Sequence, residues 1–237
     1  MPNMNQNFLQ ILKESFIKCL TSSPRSNEKL KVLHPAIAKD ISACFNDSQY
    51  EVYSLSENSK HEKIITGRYL DKRVDITVCL NDKPIAGIAI KFVMSNYSQN
   101  SNNYFESMLG ETANIRSANV PYFQIFCIFD KIPYFDKSGE ITKWEEITSH
   151  NLKKYIKLSQ DNIDCFYHTP NKTLICVAHI SDHQQNKIHN RETYKDYYCN
   201  AQFNITFSTK NFEFGKAVIY NDYEKFINKI VYAIKSI

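Results

Sequence analysis

Apolar residues in this chain recur first at helical spacing and then at the spacing typical of strands. Positions three or four residues apart predict a first helix that ends before Ser23-Pro24, with its stripe at Leu9, Leu12, Phe16 and Cys19. A second stripe predicts a helix that starts near Pro35, a residue tolerated in a first helical turn. Short apolar or alternating runs then predict an antiparallel meander of strands at 51–55, 62–70, 72–80 and 85–92.

The rest of the chain alternates predicted helices with predicted strands. A helix at 103–118 lies between the strand 85–92 and a strongly apolar strand at 121–130, and this order implies a right-handed parallel crossover. The polar segments 95–102 and 181–200 are predicted to be loops. Further helices are predicted at 144–158 and 222–236, and further strands at 172–180 and 202–208. We therefore expect one α/β domain over residues 1–237, with a central mixed β-sheet flanked by helices.

The composition is that of an ordinary folded protein. A chain of 237 residues, 43% of them hydrophobic, can bury a sizeable core. Glycine and proline are scarce, at 5 and 7 residues, which argues against long linkers. The net charge of +4 permits a nucleic-acid partner without requiring one, because the placement of charge matters more than its sum.

The cysteines and the N-terminal segment bear on the compartment. Seven cysteines are scattered without a Cys-x-x-Cys pair, and several fall within apolar strand-like runs. This pattern is typical of buried free thiols in a reducing cytosol. Residues 1–16 carry no charged stretch followed by a long apolar run, and no spanning segment is visible. We expect a cytoplasmic protein without a membrane partner.

Asp75 and Lys91 are the residues with the clearest chemical meaning. Asp75 lies in the run 72–80, and Lys91 lies near the end of the run 85–92, where the chain enters a polar loop. A carboxylate and an amine on consecutive strands can converge on one phosphate, where a divalent cation and a lysine stabilise negative charge. A structural ion pair across adjacent strands is the other interpretation, and these two residues alone leave it open.

The region around this pair resembles the PD-(D/E)XK nuclease superfamily, and within it the type II restriction endonucleases. The resemblance rests on three sequences: VDITVCLNDKPIAGIAIK at 74–91, NYFESMLGETANIR at 103–116 and PYFQIFCIFD at 121–130. It implies a restriction-endonuclease-like core over about 51–130 and Mg²⁺-dependent cleavage of double-stranded DNA. It also implies a homodimer and a cognate DNA methyltransferase in the same system.

One position departs from the family pattern, because Ala89 stands where the second carboxylate is usual. Some family members carry that acid on the following helix, where this chain offers Glu106 and Glu111. Glu106 shares a small, polar helix face with Asn103, Gly110 and Asn114, and Gly110 suggests a close backbone approach. We expect Glu106 to bind the metal with Asp75. Glu111 is its competitor, and Glu62 is a candidate supporting carboxylate.

Two polar segments are candidates for DNA contacts. In 181–200, amide, basic and tyrosine side chains suit base edges and phosphates, with candidates at Lys187, Asn190, Arg191, Tyr194 and Lys195. In the other segment, Asn96, Asn100 and Asn103 are candidates for a backbone clamp. A surface loop without function is the alternative for 181–200. His179, His183 and His189 match no metal-binding spacing and are interpreted as DNA-contacting or surface histidines.

The leading hypothesis is a Mg²⁺-dependent type II restriction endonuclease with Asp75, Lys91 and Glu106 or Glu111 in its active site. A second hypothesis keeps the fold without catalysis, so that Ala89 marks a degenerate site in a nucleic-acid-binding or assembly protein. A third is a repair or toxin-type nuclease of the same superfamily, which would cut DNA without the discrete sites of a restriction enzyme.

Overall fold

Seven strands form the central sheet of the computed structural model, which describes residues 3–22, 26–45, 47–55, 62–181 and 185–236. The described residues contain six α-helices: α1 (Met4–Thr21), α2 (Glu28–Ala43), α3 (Tyr97–Arg116), α4 (Ser149–Leu158), α5 (Arg191–Asn200) and α6 (Tyr223–Lys235). The first six strands are β1 (Tyr50–Ser54), β2 (Ile64–Thr66), β3 (Asp71–Arg73), β4 (Ile76–Leu80), β5 (Lys83–Val93) and β6 (Tyr122–Phe129). The others are β7 (Lys131–Phe135), β8 (Ile141–Glu146), β9 (Lys172–Ile180), β10 (Ile205–Phe207) and β11 (Val218–Tyr220).

The sheet is mixed, with its strands in the order β1-β4-β5-β6-β9-β10 and with β11 also paired to β9. The meander β1-β4-β5 is antiparallel, whereas β5, β6 and β9 run parallel. Helix α3 connects β5 to β6, so the predicted crossover between parallel strands is present. The predicted α/β fold with a central mixed sheet flanked by helices is confirmed. No described helix has the length and apolar character needed to cross a bilayer.

Local sequence explains the elements that carry the site. Every residue of β6 is buried, which suits an apolar run in the middle of a parallel sheet. Asn81 and Asp82, with φ of 48° and 65°, form the tight turn between β4 and β5, where asparagine and aspartate tolerate a left-handed backbone. Helix α3 begins after Asn96, whose side chain exchanges hydrogen bonds with the Phe135 backbone at 2.7 and 3.1 Å.

Three predicted boundaries are wrong in the first half of the chain. Helix α2 begins at Glu28 rather than near Pro35, because Leu33 and Ile37 on either side of Pro35 pack into the core and continue the helix. Helix α3 begins at Tyr97, within the predicted polar loop, since the Tyr97 ring is buried. Strands β2 and β3 pair with each other in a separate small sheet and do not extend the meander.

Two further segments differ from prediction in the second half. Residues 141–146 form β8, paired with β7, and the predicted helix at 144–158 starts only at Ser149, after the Thr148 capping box. The segment 181–200, predicted to be a loop, contains α5 and a short 3₁₀ helix at Gln185–Lys187. Helix α5 forms because its tyrosines 194 and 198, one turn apart, are buried in the core.

Candidate active site

A cavity of about 350 Å³ opens where the bend before β4, the strand β5 and the helix α3 meet. Asp75, Lys91 and Glu111 all line it, although they are far apart in sequence. On α3 the lining positions follow helical spacing, at Tyr104, Ser107, Met108 and Glu111. The fold therefore brings one amine and two carboxylates, all named from the sequence, to a single concave site.

Asp75 lies in the bend between β3 and β4 and accepts a hydrogen bond from the Ile90 amide at 2.7 Å. Burial raises the pKa of the Asp75 carboxyl to about 6, against the lowering effect of that hydrogen bond, and the negative charge of Glu111 adds to the rise. Both Asp75 and Lys91 are described, and their charged groups form no ion pair within 4.0 Å. The structural ion pair considered from the sequence is therefore not formed.

Lys91 extends from β5 with its ammonium 4.2 Å from the centre of the Tyr104 ring. Burial lowers the pKa of Lys91, and the positive charge of Lys29 lowers it further, while Asp75 and Glu111 act in the opposite direction. The amine is thus partly removed from water and stands close to the cation of a second lysine. Such an environment favours the approach of an anion.

Glu111, rather than Glu106, is the helix carboxylate at the cavity. Glu111 accepts hydrogen bonds from the Lys72 ammonium and, at 3.2 Å, from the Tyr122 hydroxyl. Glu106 is exposed and does not line the cavity. Its negative charge acts on Lys154: burial lowers the pKa of Lys154, and the charge of Glu106 opposes that lowering. The five residues between the two glutamates amount to about 140° of rotation around the helix. This angle separates the face toward Asp75 from the face toward solvent.

The polar helix face predicted around Glu106 has another explanation. Asn103 and Gly110 are exposed, and a Cβ added at Gly110 would meet nothing within 4 Å, so the expected close backbone approach is wrong. Asn114 is buried and accepts hydrogen bonds from the Tyr69 and Leu70 amides at 2.9 and 3.3 Å. Asn103 and Gly110 on this face are therefore exposed to solvent, whereas Asn114 holds the connection between β2 and β3 by hydrogen bonds.

Gln124 was not predicted from the sequence, although it lies at the cavity. It stands on β6 directly opposite Ala89 on β5, and its side chain is 7% exposed with no hydrogen-bond partner for Oε1. Gln124 therefore lines the cavity beside the position that lacks the usual carboxylate. The available signal was a single polar residue inside the otherwise apolar run PYFQIFCIF.

His34 is the second residue that sequence reasoning missed. It projects from the apolar stripe of α2, and one of its ring nitrogens lies with carboxylate oxygens of Glu62 and Asp75 so that all three atoms are within 4.8 Å of one another. Burial lowers the pKa of His34 to about 4, and burial followed by the charge of Asp75 raises the pKa of Glu62. These three residues can hold a metal ion.

Lys91 also lines two neighbouring cavities, of about 620 and 320 Å³. The larger one is lined by Lys29, Arg191 and Lys195 and includes the Phe135 ring, over which Arg191 lies at 4.4 Å. The smaller one contains Lys29, His34 and Asp75. Cationic side chains thus surround the carboxylates on several sides, as expected of a surface that receives an anionic chain.

Some of the remaining residues predicted to contact DNA line the larger cavity, and others lie away from it. Arg191 and Lys195 are exposed at the larger cavity, and Lys187 is exposed away from it. Tyr194 also lines the larger cavity, but it is 4% exposed and its ring packs against Phe16 and Phe135 in the core.

The amides and histidines have mainly structural roles. Asn190 caps α5 by accepting a hydrogen bond from the Thr193 amide. At the start of α3, the Asn96 side chain donates to the Phe135 carbonyl, and the Asn100 side chain donates to the Asn96 backbone carbonyl. The ring of His179 lies 3.0 Å from the Asp130 carboxylate. His189 is exposed, and His183 lies outside the described residues.

No protein-family model matches this chain, and no curated protein or solved structure does so either.

Proposed function

We propose that this chain is a divalent-cation-dependent endonuclease of the restriction type, which hydrolyses phosphodiester bonds of double-stranded DNA. The observation that carries the proposal is the convergence of Asp75, Lys91 and Glu111 on one cavity under a basic rim. Phosphodiester hydrolysis requires neutralisation of charge, an activated water and stabilisation of the leaving group. The residues at this cavity supply groups suited to each requirement.

Oxygen donors at the cavity fit Mg²⁺, the cation that the family resemblance implies. Asp75 and Glu111 supply carboxylate oxygens, and the unpartnered amide oxygen of Gln124 is a further neutral donor. Glu106, which we expected to be a ligand, is not part of this set. When bound, a divalent cation neutralises phosphate charge and lowers the pKa of a coordinated water.

The basic side chains supply the remaining functions. Lys91 faces the same cavity as the carboxylates, where its ammonium stabilises negative charge that develops on the scissile phosphate. Lys72 and Arg73 at the cavity, with Lys29, Arg191 and Lys195 at the adjoining one, bind the phosphates on either side. Base readout, a homodimer that matches a palindromic site and a cognate DNA methyltransferase belong to the same proposal.

A second candidate function follows from the hydrogen bonds that Glu111 already accepts. Its two oxygens are already held by Lys72 and Tyr122, and Ala89 supplies no replacement carboxylate. A protein that binds nucleic acid through the same basic rim without cleaving it would retain such contacts. The two candidates differ only in whether the carboxylates act on the phosphate.

Incubation of the purified protein with supercoiled plasmid and with a mixed-sequence genome separates these candidates. We expect nicking or linearisation with Mg²⁺ or Mn²⁺, loss of cleavage in EDTA, and discrete genomic fragments. Asp75→Asn and Lys91→Met should abolish cleavage, whereas Glu106→Gln is the matched control at an exposed carboxylate. DNA binding without cleavage under every metal condition would favour the second candidate. A smear of fragments would favour a nuclease without site specificity.

A further inference from the structure

His34 is a buried side chain with two polar atoms, and neither has a hydrogen-bond partner in the described part of the chain. The exposed fraction of His34 is 1%, and both Nδ1 and Nε2 are buried. A buried imidazole without partners costs on the order of 1 to 3 kcal/mol in lost hydration, and such groups in native proteins usually have a partner. Leucine at this position would complete the apolar stripe of α2 without that cost.

The imidazole points toward oxygen ligands rather than into an apolar contact. One of its nitrogens and one carboxylate oxygen from each of Glu62 and Asp75 all lie within 4.8 Å of one another. Atoms about 2.1 Å from a shared ion lie at most about 4.2 Å apart. The separations of the three ligand atoms are therefore at most about 0.6 Å longer than those two atoms on one ion can have.

We propose that His34, Glu62 and Asp75 form a binding site for a divalent transition-metal ion such as Mn²⁺. The site is separate from the oxygen-donor cavity around Glu111 and shares Asp75 with it. It is argued from the unpartnered imidazole and the clustered ligand atoms, so it stands whether or not the chain cleaves DNA.

The ligand set selects the class of metal. Mg²⁺ prefers an all-oxygen environment and keeps several of its waters, whereas a neutral imidazole suits first-row transition ions. One nitrogen with two carboxylate oxygens leaves positions free for water. The cavity of about 320 Å³ that contains His34 and Asp75 gives the ion a route from solvent, and Lys29 lines the same cavity. An anion bound by Lys29 would thus lie next to the metal.

Asp75 gives the proposed site its connection to the other cavity. One oxygen, Oδ2, accepts the Ile90 amide hydrogen at 2.7 Å, and the residue lines both the 350 and the 320 Å³ cavities. A single carboxylate is therefore placed between two regions of different ligand chemistry. The Glu111 side offers oxygens alone, while the His34 side adds a nitrogen.

Titration of the metal-stripped full-length protein with Mn²⁺ tests the proposal, with free Mn²⁺ measured from its paramagnetic resonance signal. Wild type should bind Mn²⁺, and a tenfold excess of Mg²⁺ should not displace it. His34→Gln and Glu62→Gln should each weaken binding by at least about tenfold, as expected for loss of one of three ligands. Glu106→Gln, at an exposed carboxylate that lines neither cavity, should retain it. Circular dichroism of each variant establishes that it is folded, and Glu62 is only partly buried, so its variant keeps the test valid if His34→Gln is unstable.

Three results would overturn the inference: no Mn²⁺ binding by wild type, equal binding by folded Glu62→Gln, or displacement of Mn²⁺ by a tenfold excess of Mg²⁺. These results are distinct from failure of the proposed nuclease function. Mn²⁺ binding that depends on His34 and Glu62, without cleavage of any DNA, would contradict only the nuclease proposal. DNA cleavage together with Mn²⁺ binding that is unchanged by substitution of His34 and of Glu62 would contradict only the proposed metal site.

Discussion

Burial of the Asp75 carboxyl sets the energetic character of the site at the scale of single residues. In the protein without metal, the raised pKa of about 6 means that folding opposes ionisation of this group. The folded protein therefore carries an electrostatic cost at neutral pH, which a cation at either cavity would relieve. Such a cost is common where a binding site is kept ready for a ligand.

Asp75→Asn should stabilise the protein in EDTA by on the order of 1 to 3 kcal/mol at pH 7.5. The amide oxygen of Asn can still accept the Ile90 hydrogen bond, and the buried charge is removed. Because the folded pKa of Asp75 is raised, the contribution of this group to wild-type stability is most favourable below the ordinary aspartate pKa and is lost as the pH rises through about 6. The gain should therefore shrink toward zero near pH 4.

Urea unfolding at several pH values between 4 and 7.5 measures this difference. Glu106→Gln, at an exposed carboxylate, should give almost no change across the same range. An equal gain for Asp75→Asn at pH 4 and pH 7.5 would show that the charge is not its origin.

Glu111→Gln should reduce plasmid cleavage by about 10- to 100-fold, whereas Glu106→Gln should change it by less than twofold. The two glutamates lie on the same helix, but only Glu111 lines the cavity with Asp75. Initial rates of supercoiled-plasmid cleavage in Mg²⁺ provide the comparison. The reverse order of effects would place the relocated carboxylate at Glu106, as we predicted from the sequence.

Site residues could be predicted where a charged residue interrupts an apolar run, but not where a polar residue lies within an apolar helical stripe. Asp75 and Lys91 interrupt apolar strands, and the absence of an acid at Ala89 directed attention to helix α3. The choice between Glu106 and Glu111 depends on the rotation of α3, which sequence spacing alone does not define. His34 was overlooked because a single histidine within an apolar helical stripe is more often part of the core.

At the scale of elements, helix α5 presents two kinds of surface. Its tyrosines join the core, and its exposed side adds Arg191 and Lys195 to the cavity next to Lys91. The sequence indicated the basic residues but not the helix, because most of the surrounding segment is polar. The spacing of Tyr194 and Tyr198, four residues apart, was the available sign of a buried helical face.

Lys195→Ala should weaken binding of a DNA duplex and reduce the slope of log affinity against log salt by about 1, as for loss of one phosphate contact. Lys187→Ala is the matched control, because Lys187 is exposed but lies away from the cavity. Fluorescence anisotropy at several salt concentrations, in Ca²⁺ or EDTA to limit cleavage, measures both quantities. Equal effects at both lysines would indicate a general charge effect rather than a contact at this cavity.

At the scale of the whole molecule, the larger of two hydrophobic clusters in the described residues extends from the sheet into α1, α2 and α6. The parallel strands at its centre were predictable because they are continuous apolar runs, and the last helix has an unmistakable stripe. Strands β7, β8 and β11 were not predicted. Strand β11 is three residues long and pairs with the distant β9, whereas β7 and β8 form a local hairpin whose strand pattern is weak in the sequence. The order of the strands in the sheet likewise depends on pairing between segments that are far apart in sequence.

The reactivity of the cysteine thiols tests whether the core is packed as described. Cys165 and Cys199 are exposed and should react quickly with a disulfide reagent in the native protein, and Cys19 and Cys44 more slowly. Cys79, Cys127 and Cys176 are buried and should react only when the protein unfolds. Absorbance counts of released thiolate, with and without denaturant, give the number in each class. Rapid reaction of any of the three in native buffer would contradict the strand packing described above.

The position of the crossover from β5 through α3 to β6 has a practical consequence. Lys72, Asp75, Lys91, Glu111 and Gln124, which together line the main cavity, all come from one uninterrupted stretch of chain. By contrast, His34 comes from an earlier helix, and Arg191 and Lys195 come from a later one. The groups proposed for chemistry thus share one stretch of the polypeptide, whereas Arg191 and Lys195, proposed to bind flanking phosphates, lie on a separate helix. The exposed residues of α5 could therefore be exchanged, with its buried tyrosines kept, to alter which duplexes are bound while the residues proposed for catalysis stay unchanged.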